Sequence, residues 1–345
     1  MRSTPAAVTL PGGQARRRQP VGLRAGAPLS RISGPAEALG LVAADLGEAE
    51  RVLRGLVHSD VAAVPAVAGY LVDAGGKRLR PALAALGAMA VGVPAKHQLM
   101  CVGELIHLGS LLHDDVVDDG DERRGRPAAH RVYGNAVSVL TGDFCLARAV
   151  LLASEAGGHA AATSLARAVT EMAEGEVLQL QRAGDLSCTT EQYLEVIDRK
   201  SAALIAWCVA SHATASGELE AAAALELYGR RVGTAFQITD DVLDYATGTG
   251  KLPGADLRER KVTLPLLHAM ERLPRLRERL TQAAPKPEEV PSLIEEVRAS
   301  GALDAALADA RDFVAEGVSA LDALVSSDAR DALAVLGHYL VERVH

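Results

Sequence analysis

Two acidic clusters of the same shape, Asp114-Asp115-Val116-Val117-Asp118 and Asp240-Asp241-Val242-Leu243-Asp244, interrupt stretches that are otherwise apolar and helical in period. On a helix, residues four apart share a face, so Asp114 stands one turn from Asp118 and Asp240 one turn from Asp244. Like charges at that spacing repel, and each pair costs helix stability unless a cation neutralises it. Oxygen donors without His or Cys among them favour Mg²⁺, which keeps several waters and takes one or two carboxylates together with substrate phosphates. The pair of clusters predicts a diphosphate held between two carboxylate-bearing helices by Mg²⁺. Ordinary solvated acidic faces would not be expected to repeat the full pattern in apolar surroundings.

Those surroundings set the fold class. Of the 345 residues 49% are hydrophobic but only 3% aromatic, so the core is built from Ala, Leu and Val, with the good helix formers dominating. No region carries the several alternating β-branched runs that a sheet needs. An all-α protein is predicted, a single-domain helical bundle over residues 36–345. Amphipathic periodicity begins near Ala36 and is broken at Gly75-Gly76, Gly92 to Pro94, Gly120 to Pro127, Gly157-Gly158, Gly184, Gly248 to Pro253 and Pro285 to Pro291, which implies about ten or more helices. The two connections trailing the acidic clusters are the long ones, and such loops often serve as lids or binding loops.

Residues 1–35 hold six Arg, no Asp or Glu, and much Pro and Gly. A basic, disordered arm is expected there, since such a segment buries too little apolar surface to order itself, and it lacks the continuous apolar run of a signal peptide. A net charge of -8 argues against nucleic acid as a partner. Cys101, Cys145, Cys188 and Cys208 show no CxxC spacing and are expected to be buried thiols in a reducing cytoplasm. The longest uncharged stretches, Pro81 to Ala95 and Ser201 to Gly217, are too short for a bilayer; they predict core helices and no transmembrane segment.

Cations complement the carboxylates. Gly75-Gly76-Lys77-Arg78-Leu79-Arg80-Pro81 sets two glycines before a dense basic run. Lys77 and Arg80, three apart, are expected to project from one face toward a phosphate, although a basic run is more often a solvated face. Arg123 and Arg124 follow the first cluster in a loop, and guanidinium groups bind phosphate oxygens bidentately. His107 lies two turns before Asp114 and is expected between Lys77 and the acidic site.

Together, GGKRLRP, ELIHLGSLLHDDVVDDGDERRGRP, the Gly142-Asp143 helix start, GEVLQL, Lys200-Ser201 and FQITDDVLDYATGTGKLPGADLRERKVTLP resemble the trans-isoprenyl diphosphate synthases, or polyprenyl synthetases. The likeness runs in order over residues 75–265. It implies one all-α domain around a deep central cavity, a homodimer, and head-to-tail condensation of an allylic diphosphate with isopentenyl diphosphate. By position it also implies that Asp114, Asp118, Asp240 and Asp244 serve about three Mg²⁺ ions, with Asp115 and Asp241 in support. Lys77, Arg80, His107 and Arg124 would hold isopentenyl diphosphate. Arg123, Lys200, Ser201, Gln237, Lys251 and Lys261 would act on the allylic diphosphate, and contact with a membrane surface would accompany product release. Three positions depart from the family pattern: Ser201 where Thr is usual, Arg260 where Gly precedes the last Lys, and His130 where Asn is common.

The chemistry follows from the charges. Breaking an allylic C–O bond leaves a carbocation and an anionic diphosphate, so preorganised cations must meet the leaving group and an apolar cavity must exclude water. The loop from Thr247 to Lys261 is the expected lid. No strong general base is evident, so the departed diphosphate is expected to accept the proton. A terpene cyclase would carry a different second motif, a head-to-head synthase would lack GGKRLRP, and a non-catalytic partner subunit would lose the acidic clusters. The resemblance also implies that product length is set on the helix before Asp114, where Ser110 and Ile106 fall about 6 and 12 Å down the axis, with Gly109 beside them. No aromatic plug stands there, so a product of about C30 to C50 is expected over C15 or C20.

Overall fold

Ala- and Leu-rich sequence at helical spacing leaves the chain almost wholly helical in the computed structural model, which describes residues 32–246, 253–283 and 285–342. The first helices are α1 (Pro35–Gly40), α2 (Ala43–Leu56), α3 (Ala63–Asp73), α4 (Leu79–Ala90) and α5 (His97–Val117). A two-stranded hairpin, β1 (Glu122–Arg123) and β2 (Arg126–Pro127), leads to α6 (Ala129–Tyr133), α7 (Asn135–Gln181) and α8 (Thr190–Ile197). A π-helical turn, Asp198–Ala202, then joins α8 to α9 (Ala203–Ser216), and α10 (Leu219–Leu243) follows. The remaining helices are α11 (Ala255–Arg258), α12 (Leu264–Arg272), α13 (Pro274–Gln282), α14 (Val290–Ala299), α15 (Ala302–Ala320) and α16 (Asp328–Glu342).

The centre is made by α5, α7, α9 and α10, with α4 packed on α9 and α15 on α10. Apolar side chains surround α9 almost along its whole length, so the uncharged stretch read from the sequence is a core helix, as is most of α4. Close approach here depends on glycine. A Cβ on Gly229 or Gly233 would lie 2.5 or 2.7 Å from the Cα of Ala206 or Ala202, far inside contact distance, so α10 can lie on the α9 backbone only where side chains are missing. A second apolar cluster joins the end of α10 to α12, α14 and α15 through residues such as Val242, Leu266, Leu293 and Leu307.

Four expectations change. Gly142-Asp143 does not start a helix; α7 begins seven residues earlier, and Gly142 is an interior contact whose Cβ would meet the His113 ring. Gly157-Gly158 does not end α7 either, but kinks it, because Gly158 adopts φ 74° and ψ −171°. The loop after the first acidic cluster contains a hairpin whose two turn residues, Arg124 and Gly125, both have positive φ, at 54° and 72°, as a type I′ turn requires. The ordered core also starts before residue 36: Ile32 is buried at 8% exposure, and Ser33 donates from its backbone N–H and its hydroxyl to Glu37. Residues 1–31 lie outside the described residues.

By length and composition α7 is the one helix among the described residues able to cross a membrane. Asp143 and Arg148 punctuate its apolar half, so it holds no long uncharged run. It is kinked at Gly158 and packs against α5, α9 and α3, as the core helix of a bundle does.

Candidate active site

Both acidic clusters close helices. Asp118 is the C-cap of α5 and Asp244 the C-cap of α10. The carboxylates therefore sit at the negative ends of two helix dipoles, which adds to their mutual repulsion. Asp114 is half-buried, and its carboxyl is pushed up to about 6 by that burial; Glu176 and Asp118 add to the effect while Lys200 and Arg123 oppose it. Asp115 is fully buried, accepts from Arg123 Nε at 2.8 Å, and has a second oxygen without a hydrogen-bond partner. Asp118 lies 3.4 Å from Lys261 Nζ.

The second cluster divides its work differently from the sequence expectation. Asp244 was expected to ligate metal, but its two oxygens accept the backbone N–H groups of Ala255 and Asp256 at 3.0 Å each. It thereby caps α11 and ties the loop after α10 to the end of that helix. Asp241 accepts from Tyr193 Oη at 2.7 Å and Gln237 Nε2 at 2.8 Å; burial, then Asp240 and Asp244, push its carboxyl up to about 7. Asp240 faces the large cavity shared with Asp114. Among the described residues no three His, Cys, Asp or Glu side chains converge into a closed metal cage. An all-oxygen donor set offering one or two carboxylates per helix end fits Mg²⁺, which takes its other ligands from water and phosphate.

The hairpin parts its neighbouring arginines. Arg123 is held against Asp115 at the acidic end, whereas Arg124, in the turn, donates to the carbonyl of Gly75 at the start of the basic run. Arg78, a left-handed residue with φ 47°, is spent on structure: it donates to Glu50 at 2.7 Å and to buried Glu104 at 3.3 Å. Lys77 precedes α4 rather than riding on it, so helical spacing does not align it with Arg80 as expected. The two still line one cavity of about 420 Å³ with His107 and Arg124, closed by Leu39 of α1 and by Leu336, Tyr339 and Leu340 of α16. Burial, reinforced by Arg80 and Arg124, holds the His107 imidazole well below its usual range.

The adjoining cavity, about 510 Å³, runs from Asp114 and Asp240 down past Ser110 to Ile106, Leu146 and Val169. Ser110 and Ile106 line it as the helix geometry required. Gly109 does not: its missing Cβ faces the carbonyl of Gly142 at 3.0 Å and Leu146 at 3.2 Å, so it is a helix-crossing contact with α7 and not tunnel wall. Phe236 was not foreseen. With Arg80, His107 and Ile205 it borders both cavities, and nothing in its sequence setting marks it apart from a core aromatic.

Lys200 and Ser201 come from the π-helical turn. Such turns re-aim side chains within a helix, and this one presses against α7 at Gly175, whose Cβ would lie 2.5 Å from the Lys200 nitrogen. Lys200 pairs with Glu176 at 2.6 Å, and Ser201, standing for Thr, keeps a hydroxyl that donates to Gln237 Oε1 at 2.6 Å. A third, polar chamber of about 120 Å³ lies behind them, lined by Asp241, Asp256, Lys261, Tyr193 and Gln179. Burial alone would lower the Lys261 ammonium, but Glu259, Asp118 and Asp256 hold it above its usual range. Arg260 takes φ 58°, a backbone that glycine adopts more easily, and lies over Gly184, whose N–H donates to the Arg260 carbonyl at 2.8 Å. His130, buried at 4% exposure, has neither ring nitrogen hydrogen-bonded. Lys251 and the first part of the expected lid, residues 247–252, lie outside the described residues.

Residues 61–297 match the polyprenyl synthetase family. The chain is 38% identical over 310 residues to octaprenyl diphosphate synthase of Haemophilus influenzae, covering 87% of this chain and 94% of that protein. It is 39% identical over 316 residues to octaprenyl diphosphate synthase of Escherichia coli, covering 88% and 97%. A polyprenyl synthase from Caulobacter crescentus, solved with calcium and isoprenyl diphosphate, superposes with a TM-score of 0.86 at 41% identity, covering 91% of this chain and 100% of that one.

The burial of Asp114 has a measurable consequence in metal-free protein. Its folded pKa of about 6 lies above the unfolded value near 3.8. The stability that the neutral carboxyl gives is therefore fully present below about pH 4 and lost as pH rises through 6. Asp114→Asn is expected to be more stable than the parent by up to about 3 kcal/mol at pH 8, with the gain fading toward pH 4. Denaturant titrations in chelator across that range check it; a difference independent of pH would contradict the cause.

Proposed function

The chain belongs to the polyprenyl synthetase family, and we propose that Asp114, Asp118 and Asp240 hold Mg²⁺ on an allylic diphosphate while Lys77, Arg80, His107 and Arg124 hold isopentenyl diphosphate. The activity is head-to-tail condensation of these substrates into an all-trans polyprenyl diphosphate of medium or long chain. One observation carries the residue assignment. The apolar cavity under the carboxylates and the cationic cavity beside it share Arg80, His107, Ile205 and Phe236 as a common wall, so two diphosphate substrates would meet tail to head across it.

Bound Mg²⁺ supplies positive charge to the departing diphosphate. The chain supplies the rest. Lys200, Arg123 and Lys261 would meet the leaving group with cationic donors. Ser201 and Gln237 put oxygens beside the carbon that becomes electron-poor. The Ala- and Leu-rich lining excludes water until the alkene attacks. His107 is a poor proton acceptor, since burial and its arginine neighbours disfavour the imidazolium, which leaves the departed diphosphate as the base.

Two further readings concern assembly and place. A stripe of exposed small and apolar residues on α7, Ala136, Leu140, Ala147, Val150 and Leu151, falls on one helical face and supports a homodimer. Four buried free thiols support a reducing, cytoplasmic setting.

Three measurements bear on this reading. Asp240→Ala should lower Mg²⁺-dependent condensation by roughly 10² or more, the scale for losing one preorganised element of charge stabilisation; activity within threefold of the parent would remove Asp240 from the site. Ser110→Phe should shorten the product to about C15 or C20, because it sets a ring one turn below Asp114; an unchanged long product from a stable variant would take α5 out of the ruler. Leu140→Glu should shift sedimentation from dimer toward monomer. A dimer of unchanged affinity would place the interface elsewhere.

A further inference from the structure

Tyr193 belongs to none of the motifs, yet it begins a buried hydrogen-bond chain that ends in the large cavity. Its hydroxyl donates to Asp241 Oδ2 at 2.7 Å, Gln237 Nε2 donates to Asp241 Oδ1 at 2.8 Å, and Ser201 Oγ donates to Gln237 Oε1 at 2.6 Å. Tyr193 and Asp241 are buried, at 4% and 6% exposure, while Gln237 and Ser201 reach the wall of the cavity that also holds Asp114 and Asp240.

The chain has a direction that its first link dictates. Both oxygens of Asp241 accept, one from the phenol and one from the amide, so Gln237 turns its NH₂ toward Asp241. Its carbonyl then faces Ser201 and takes the only hydrogen that the hydroxyl can donate. What Ser201 has left for the cavity is lone pairs. Tyr193 holds the second oxygen of Asp241, so both oxygens of that carboxyl are engaged.

We infer that Tyr193 is a positioning residue for the condensation: by fixing Asp241, and through it Gln237, it orients Ser201 so that a lone pair of the hydroxyl oxygen faces the allylic carbon as positive charge develops there. The inference rests on the reading that Ser201 and Gln237 border the reacting group. Tyr193 lies outside the acidic motif, and its bond accounts for a buried Asp241 that lines the polar chamber and not the large cavity. Stabilisation of this kind acts on turnover and not on ground-state binding, because the charge exists only near the transition state.

A double-mutant cycle on the full-length protein tests it, with isopentenyl diphosphate, a short allylic diphosphate and Mg²⁺ at saturation. Tyr193→Phe and Ser201→Ala should each lower kcat by about tenfold with KM for both substrates within about twofold, and the double variant should be within about threefold of Ser201→Ala alone. Multiplied losses near a hundredfold would mean that Tyr193 does not act through Ser201, and overturn the inference while leaving the reading of Ser201 standing. So would a Tyr193→Phe enzyme with unchanged kcat. An unimpaired Ser201→Ala would instead sink the reading of Ser201 and the inference with it. If Tyr193→Phe fails to fold, Asp241→Asn takes its place in the cycle: coupling to Ser201→Ala supports the chain of bonds, and independence refutes it.

Discussion

The structure depends on one electrostatic conflict. Two helices, α5 and α10, end in carboxylates that are buried or half-buried, stacked on like charge, and set at the negative poles of their own dipoles. Each of these three conditions is unfavourable, and divalent cations with the anion they bring would neutralise the charge that makes them so. The protein offsets only part of the charge itself, through Arg123 on Asp115 and Lys261 near Asp118. What remains at Asp114 is the capacity to bind.

Around that conflict the fold sorts cations by task. Arg78 closes a structural pair with Glu50 and Glu104, and so keeps the glycine-bearing turn before α4 in place. The type I′ hairpin sends Arg123 to the acidic end and Arg124 to the basic cavity. Several of these residues stand in left-handed backbone, among them Arg78, Asp119, Arg124 and Arg260. Non-glycine residues there cost of order 1 kcal/mol or more each and cluster where function holds them.

The all-α class, the core identity of α4 and α9, and most of the acidic and basic set were legible in the sequence, because composition and helical period speak directly to burial. Contacts made across space were not. Asp244 reads as a fifth-position ligand on a helix face, but α10 ends there and its oxygens cap α11. Gly109 reads as a tunnel residue by its place beside Ser110, yet a 100° turn about the helix axis points it at α7. Lys77 and Arg80 were aligned by a helix that starts only at Leu79. The hairpin was missed because Arg-Gly is not the usual turn pair, and Tyr193 because its partner lies 48 residues away. Leu39 and Leu336, from opposite ends of the chain, close one cavity, and no local pattern announces such a meeting.

The central claim, that diphosphate-bound cations resolve the conflict between the two helix ends, is tested most directly by anomalous diffraction from crystals grown with Mn²⁺ and a non-cleavable allylic diphosphate analogue. Anomalous peaks are expected within ligand distance of Asp114 and Asp240, with the diphosphate beside them. Peaks confined to other carboxylates, or a diphosphate seated away from both helix ends with no metal between them, would contradict it.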